Sequence, residues 1–251
     1  MTGSIAHATD ILTCIGNDFH ALTDIARECN LGKSTVHRVL KLLEQTRFVV
    51  QDTINRRYYL GPLLVRLTSN PITTHEYLVL FAGEEIQRLA MITEETVSLD
   101  IMIGIQSFSI FEIPSRHDLK VSQPDPMPGP LMAGASFKTL LSQLNDKQLD
   151  LALDGITLQQ PTERSVTDKE TLKKQVRESR KLGYTISRGE WIHGAMCISV
   201  PVTNYVLPLS LNVVGPESRI RAHEVEFIDE IKKSASRISA TIPRIFEKPA
   251  L

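Results

Sequence analysis

A stripe of polar and basic side chains could contact nucleic acid. Ser34, His37, Arg38 and Lys41 recur at i, i+3, i+4 and i+7, a spacing that places them on one face of a helix. On such a face an arginine can bond both acceptors of a guanine edge, while serine, threonine and lysine hold phosphate oxygens. The candidate DNA contacts of this segment are Lys33, Ser34, Thr35, His37, Arg38 and Lys41. The alternative is an ordinary solvated helix face.

A second basic group, Arg56-Arg57-Tyr58, follows a polar turn. At the edge of a hairpin these residues can contact the sugar-phosphate backbone. Charged hairpin edges also prevent pairing with other chains, so a solubilising role stays open. Between Lys33 and Arg66 the chain has seven Lys/Arg and two acids, although its net charge is −1. This local excess agrees with DNA binding without requiring it.

Two later segments, 195–202 and 206–214, alternate polar and apolar residues with the period of a β-strand. The residues of the polar face are Cys197, Ser199, Ser210 and Asn212. A solvent-facing sheet surface is the simplest explanation of such alternation. A ligand-binding face is the other explanation, and the pattern alone leaves both open.

The same strand carries nucleophiles. Cys197 or Ser199 with His193 and Glu190 would be the parts of a small hydrolase, because a nucleophile needs a neighbouring base and an orienting group. However, the sequence has no Gly-x-Ser-x-Gly elbow, no His-Glu-x-x-His zinc motif and no phosphate-binding loop. Hydrolysis is therefore the second hypothesis, and we expect neither a cofactor nor a metal.

Three helical patterns and a hairpin must position the basic residues. Apolar residues recur at helical spacing in three segments, 8–15, 22–29 and 36–43. Asn30-Leu31-Gly32 predicts the turn before the third helix, with Gly32 where the chain changes direction. Strand patterns at 48–50 and 56–61 enclose a polar turn and predict a hairpin. This order predicts a winged helix-turn-helix, whose second motif helix enters the major groove.

A second, mixed α and β domain is predicted beyond the aperiodic segment 67–74, where Pro71 indicates a linker. Strands are predicted at 96–103, 107–113 and 184–188, in addition to the alternating pair. Helices are predicted at four places: a stripe over 78–89, a stripe over 137–144, a capping box at 167–170 whose helix ends at Gly183, and a stripe over 228–242 before Pro243. The prolines of 123–130 predict an extended loop.

Composition bounds the class of protein. The 251 residues, 42% of them hydrophobic, can form two modest domains, each with its own core. Cys14, Cys29 and Cys197 are scattered, which predicts neither a disulfide framework nor a zinc cluster. Without a long apolar run or a signal-like N-terminus, we expect a cytoplasmic protein with no membrane span.

Four sequence blocks carry a family resemblance. The first domain contains LTDIARECNLGKSTVHRVLKLLEQ and RRYYLGPLLVRL, and the second contains GYTISRGEWIHGAMCISVPV and VVGPESRI. Over nearly its whole length the chain resembles the IclR family of transcriptional regulators. The resemblance implies an α+β protein in three parts: a winged helix-turn-helix at 1–70, a linker helix at 71–92, and an effector-binding domain of profilin-like, GAF-related α/β fold at 93–251.

The resemblance also implies function and partners. Family members bind a double-stranded DNA operator as homodimers or homotetramers and respond to a small-molecule effector, typically a small organic acid or an aromatic catabolite. We therefore expect a transcription regulator, a repressor rather than an activator, and not an enzyme. The family's pocket corresponds here to Ala135 and Ser136 at a helix start and to Cys197 and Asn212 on the sheet.

Residues near the expected pocket depart from the family. Phe137-Lys138 replaces the usual Gly-Lys pair, and Ser187 stands where an acid is frequent, so the effector's identity does not carry over. Trp191 is a candidate for stacking on an aromatic effector, against the core role more usual for a lone tryptophan.

The predicted helix start at Ala135-Ser136 suggests how an acidic effector would bind, because exposed helical N–H groups there suit a carboxylate. A protein-interaction module that has lost DNA binding is a third hypothesis. The basic helix face argues against it.

Overall fold

The computed structural model describes residues 3–122 and 133–242. The chain divides into two compact units, Met1–Thr74 and His75–Leu251. The elements of the first unit are α1 (Ser4–Gly16), α2 (Leu22–Glu28), α3 (Lys33–Gln45), β1 (Val49–Gln51), β2 (Tyr58–Leu60) and α4 (Pro62–Leu67). The helix α5 (Pro71–His75) contains the division between the units.

The second unit begins with a 3₁₀ turn (Glu76–Leu78). Its further elements, in chain order, are α6 (Val79–Thr93), β3 (Thr96–Ile103), β4 (Gln106–Ile113), α7 (Gly134–Ser142), α8 (Asp146–Asp154), α9 (Lys169–Leu182), β5 (Thr185–Arg188), β6 (Ala195–Val202), β7 (Leu209–Pro216), α10 (Glu217–Ala222) and α11 (Glu224–Thr241).

Apolar helix faces build the core of the first unit. Ile11, Ile25 and Leu40, one from each of α1, α2 and α3, are fully buried. Apolar residues at helical spacing form one stripe on each helix, and the three stripes are buried where they face one another. β1 and β2 pair antiparallel with Val49 opposite Leu60. The order of three helices and a hairpin confirms the predicted winged helix-turn-helix.

Two backbone positions control the turns of this unit. Asn30 adopts the left-handed region at φ +50°, whereas Gly32 has φ −64° and serves as the N-cap of α3. The turn predicted at Asn30-Leu31-Gly32 is present, and its left-handed residue is Asn30 rather than Gly32, because asparagine also tolerates this region. Gly61 is required for a different reason, since a Cβ there would lie 2.2 Å from the Arg47 carbonyl oxygen.

An antiparallel sheet organises the second unit. Among the described residues it has five strands in the order β4-β3-β7-β6-β5. One face packs on α6 and α11 through residues such as Ile86, Leu99 and Ile231. The other face carries α7, which packs on the sheet and on α9. Both faces are covered, so the unit is the mixed α and β domain that the sequence predicts.

The polar face of β6 and β7 lies under α7. Ser199 and Ser210 are fully buried, and Asn212 is 2% exposed. The explanation of this face as a solvent-facing surface was therefore wrong. Polar side chains that leave water need partners within the protein or in a ligand.

Helix boundaries differ from prediction where capping decides them. Asp168, rather than Thr167, caps α9, because its carboxylate accepts the Thr171 N–H at 2.7 Å. Gly183 ends that helix at φ +73°, as predicted. Pro71 begins α5 instead of interrupting the chain, since proline fits the first position of a helix.

Some elements lack a strong sequence signal. No sequence pattern predicted α4, α8 and α10, which are short, and β7 begins at Leu209 rather than at 206. The loop predicted at 123–130 and the effect of Pro243 lie outside the described residues. Within the described ranges, no helix is long and apolar enough to cross a membrane.

Candidate DNA interface and ligand cavity

The outer face of α3 is available for contact. Val36, Val39, Leu40 and Leu43 are buried. Their burial leaves Lys33, Ser34, His37 and Arg38 exposed, with Thr35 half-buried. Gly32 provides no side-chain cap, so the exposed first turn can bring backbone N–H groups to a phosphate.

Lys41 is less available than the rest of this face. Its Nζ donates to Glu44 Oε2 at 2.7 Å, one turn along the same helix. The lysine charge is thus partly neutralised by a neighbouring acid. A contact between Lys41 and DNA would compete with this ion pair.

The hairpin tip is held by its own polar side chains. Asp52 Oδ1 accepts the Ile54 N–H at 2.7 Å, and Asn55 Oδ1 accepts the Arg57 N–H at 2.9 Å. Arg56 adopts a left-handed conformation at φ +60°. Arg56 and Arg57 are both exposed beside this turn. A defined loop therefore presents the two guanidinium groups.

Tyr58 does not belong to the exposed tip. It is 2% exposed and packs in the core of the first unit. Its backbone N–H donates to the His20 carbonyl at 2.9 Å. The prediction that its side chain contacts DNA was wrong, because period-two alternation turns it inward while Arg57 and Tyr59 remain nearer the surface.

A cavity of about 110 Å³ lies between the start of α7 and the sheet. It brings together most of the predicted effector residues: Ala135, Ser136, Trp191, Cys197 and Asn212. Ser187 lines an adjoining space of about 50 Å³, which shares Trp191 and Cys197 with the first. The cavity also has acidic residues that the sequence analysis missed, Asp100 and Glu112.

The first turn of α7 is already bonded to the sheet. The Ala135 N–H donates to Ser187 Oγ at 3.0 Å, and Ser136 Oγ donates to Asp100 Oδ2 at 2.5 Å. The Ala135 amide is therefore not open to a ligand carboxylate, contrary to the expectation from the sequence. A protein carboxylate lies at this helix start instead.

Asp100 is the least accessible acid of the cavity, at 1% exposure. Burial raises the pKa of its carboxyl from 3.8 to about 6, although the hydrogen bond from Ser136 and the polar side chains of Ser98, Ser109 and Asn212 beside it oppose the rise. Within the described residues, Oδ1 has no hydrogen-bond partner. An acid in the middle of the apolar segment TVSLDIMI was the available sequence signal.

Asn212 bridges three strands. Its Nδ2 donates to Ser98 Oγ on β3 at 3.1 Å, and its Oδ1 accepts from Ser199 Oγ on β6 at 2.6 Å. Both ends of the amide are therefore bonded within the protein. The side chain lines the cavity while its polar atoms hold the sheet together.

The parts of the hypothetical hydrolase do not form a catalytic group. His193 Nε2 lies 2.7 Å from Glu163 Oε2 at the surface, and Glu190 Oε1 accepts from Lys138 Nζ at 2.6 Å. Burial raises the pKa of the Cys197 thiol well above its usual range, which disfavours the thiolate. The described residues contain no cluster of His, Cys, Asp and Glu suited to a metal.

Family models match both units. The model described as "IclR helix-turn-helix domain" covers residues 4–53. The model described as "Bacterial transcriptional regulator IclR C-terminal" covers residues 72–240. The chain belongs to the IclR family. This membership makes it a DNA-binding transcriptional regulator, and the enzyme hypothesis is wrong.

Two curated relatives match the chain over most of their length. The chain is 27% identical over 223 residues to the "HTH-type transcriptional repressor AllR" of Escherichia coli K12, covering 88% of this chain and 82% of the relative. It is 25% identical to the "HTH-type transcriptional regulator KdgR" of the same strain, covering 94% and 91%.

Solved IclR structures share the fold. A putative regulator from Rhodococcus sp. has a TM-score of 0.75 at 21% identity and covers 94% of this chain and 92% of its own. A regulator from Alicyclobacillus acidocaldarius has a TM-score of 0.58 at 27% identity, with coverage of 96% and 98%. These likenesses support the α+β assignment.

Proposed function

We propose that this IclR regulator is a repressor whose affinity for its operator changes when a small-molecule effector occupies the cavity beneath α7. The observation that carries the proposal is a cavity lined by buried polar side chains in a chain that also has an exposed basic helix face. AllR, a relative that covers most of the chain, is named a repressor.

The proposed DNA interface has two parts. On α3, Arg38 reads a base edge, while Lys33, Ser34, Thr35 and His37 contact phosphates or bases. On the hairpin, Arg56 and Arg57 contact the backbone and add affinity that does not depend on base sequence. Lys41 contributes after leaving Glu44.

The active species is proposed to be a homodimer or a homotetramer. A single recognition helix reads too short a site, and paired modules read half-sites separated by about one helical turn or a multiple of it. Sedimentation of the protein on operator DNA would test this. A monomer that fully occupies the operator would contradict it.

An aromatic catabolite suits the cavity better than a small organic acid does. Trp191 provides an aromatic wall, whereas Asp100 and Glu112 would oppose a bound anion. A regulator from Microbacterium hydrocarbonoxydans with the same fold is complexed with 4-hydroxybenzoate, which supports an aromatic ring in the ligand, although that ligand also carries a carboxylate. Such a ligand can act only by preferring one state of the protein, and a coupling of about 1 to 3 kcal/mol is typical.

Footprinting on the promoter beside the protein's own gene tests the proposal, with and without candidate aromatic catabolites. Arg38→Ala should weaken specific binding by about 1 to 3 kcal/mol and relax base preference. Lys174→Ala, which removes an equally exposed charge on α9, is the matched control and should bind normally. An unchanged footprint in Arg38→Ala would remove Arg38 from the interface. A footprint that no catabolite alters would contradict effector control.

A further inference from the structure

We infer that the cavity recognises its ligand through a hydrogen-bond donor, a hydroxyl or an amide N–H, which the Asp100 carboxylate accepts. The inference rests on the proposed effector function and specifies its ligand class. The expected ligand is a small, neutral, partly apolar molecule with a hydrogen-bond donor at one end.

The bonding of Asp100 is half complete. Oδ2 accepts from Ser136 Oγ at 2.5 Å, whereas Oδ1 is buried and has no partner among the described residues. A buried acceptor without a donor costs free energy, so such atoms are uncommon and call for a reason. A ligand donor in the cavity that Asp100 lines would complete its bonding.

A β-bulge determines what lies beside this carboxylate. The register of β3 against β4 shifts between Leu99 and Asp100, so that Leu99 pairs with Phe111 and Asp100 pairs with Ser109. Ile110 is the extra residue, and its side chain joins the apolar core on the opposite face. Bulges redirect side chains next to binding sites. Here the bulge places Ser109 opposite Asp100.

Ser109, which pairs with Asp100, also has a buried side-chain oxygen. Its Oγ is buried and has no hydrogen-bond partner among the described residues. Ser109 pairs with Asp100 across the two adjacent strands, so both side chains lie on the same face of the sheet. A ligand hydroxyl or amide in the cavity that Asp100 lines can donate to the carboxylate.

The acidic residues that line the cavity disfavour an anion beside Asp100. Asp100 and Glu112 both line it, and none of the described lining residues is a lysine or an arginine. The nearby Lys138 is paired with Glu190 and Gln175, so its charge is already compensated. A ligand carboxylate beside Asp100 would therefore meet repulsion without a counter-ion.

Other residues that line the cavity suit the apolar part of a ligand. Trp191, Ile192 and Val214 also line the cavity. Trp191 is the one tryptophan of the sequence, so its fluorescence reports occupancy of this cavity without a label. The full-length protein can thus be titrated directly.

Three probes with the same ring test the inference: benzyl alcohol, toluene and benzoate. They differ in presenting a hydroxyl donor, no polar group or a carboxylate. Benzyl alcohol should bind the wild-type protein about ten to a hundred times more tightly than the other two, as expected for a hydrogen bond to a charged group. This ranking needs no variant, so it remains decisive if a substitution prevents folding.

Two variants assign the preference to one residue. Asp100→Asn keeps the shape but removes the carboxylate, and it should reduce the preference for benzyl alcohol over toluene at least tenfold and improve binding of benzoate. Asp118→Asn, which makes the same change at an exposed position outside the cavity, is the matched control and should retain the preference.

Several results would overturn the inference. These are equal wild-type affinities for benzyl alcohol and toluene, no binding of benzyl alcohol, a preference that survives Asp100→Asn, and a preference that Asp118→Asn also removes. The titrations contain no DNA, whereas the proposed function is tested by footprinting with catabolites. Donor selectivity without effector control would contradict only the proposed function, and effector control without donor selectivity would contradict only this inference.

Discussion

Ser187 on β5 accepts a hydrogen bond from the Ala135 N–H at the start of α7, at 3.0 Å. Both residues are buried. The bond fixes the helix over the sheet at the edge of the ligand cavity and uses an amide that would otherwise face it. An uncharged serine can do this without adding a further negative charge near Asp100.

We expect Ser187→Ala to destabilise the second unit by about 1 to 3 kcal/mol, because it leaves a buried N–H without an acceptor. Urea unfolding followed by circular dichroism measures the change. Ser218→Ala, on the exposed surface of α10, is the control and should stay within about 0.5 kcal/mol. Equal midpoints for the two variants would show that the bond contributes little.

Asp100 should make stability depend on pH. The pKa of its carboxyl is about 6 in the folded protein against 3.8 ordinarily. The folded state therefore holds the proton more tightly between these values, and this group lowers stability as pH rises through them. The cost is fully present above about pH 6 and corresponds to roughly 3 kcal/mol.

Asp100→Asn should accordingly unfold at higher urea than the wild-type protein at pH 7.5, and the gain should vanish near pH 3.5. The variant leaves Glu112 and Cys197 of the same cavity unchanged, so the difference isolates Asp100. Asp118→Asn, at an exposed position, serves as control. A gain that is the same at both pH values would be inconsistent with burial of the charge.

Removing Arg56 and Arg57 together should weaken binding similarly for every DNA sequence and flatten the dependence of affinity on salt concentration. Each lost phosphate contact reduces the slope of log affinity against log salt by about 0.9. Filter binding at several salt concentrations measures this. The double variant Lys174→Ala, Lys181→Ala removes the same charge from exposed positions on α9 and should keep the original slope. Equal slopes for both pairs would assign the arginines to a solubilising edge.

Gly61→Ala should disrupt the first unit. The added Cβ would lie 2.2 Å from the Arg47 carbonyl oxygen, a backbone atom that cannot move without opening the hairpin. We expect a loss of about 3 kcal/mol or more and loss of DNA binding. Calorimetry checks the first effect and gel shift the second. Gly16→Ala, where a Cβ meets nothing within 4 Å, should have little effect.

The local spacing of polar and apolar residues was sufficient to predict many of the helices and strands of this protein. The spacing of apolar residues predicted where α1, α2 and α3 lie and the exact bounds of β3 and β6, because burial of one face imposes a period on each element. The basic face of α3 followed from the same period. The alternation on β6 and β7 also correctly separated polar from apolar residues.

Tertiary structure decided how the polar groups are used. The pattern did not distinguish Tyr58 from Tyr59, since alternation specifies two faces without saying which one is covered. It did not reveal that the Ala135 amide is bonded to Ser187, which lies 52 residues away, or that Asp100 faces the start of α7.

The physical reason is that a short apolar repeat reports only which side chains share a face of a helix or strand. The partner that satisfies a buried polar atom comes from whichever strand or helix the fold brings beside it. The register shift at Asp100, set by a single extra residue on β4, was accordingly visible only after β3 and β4 had been paired.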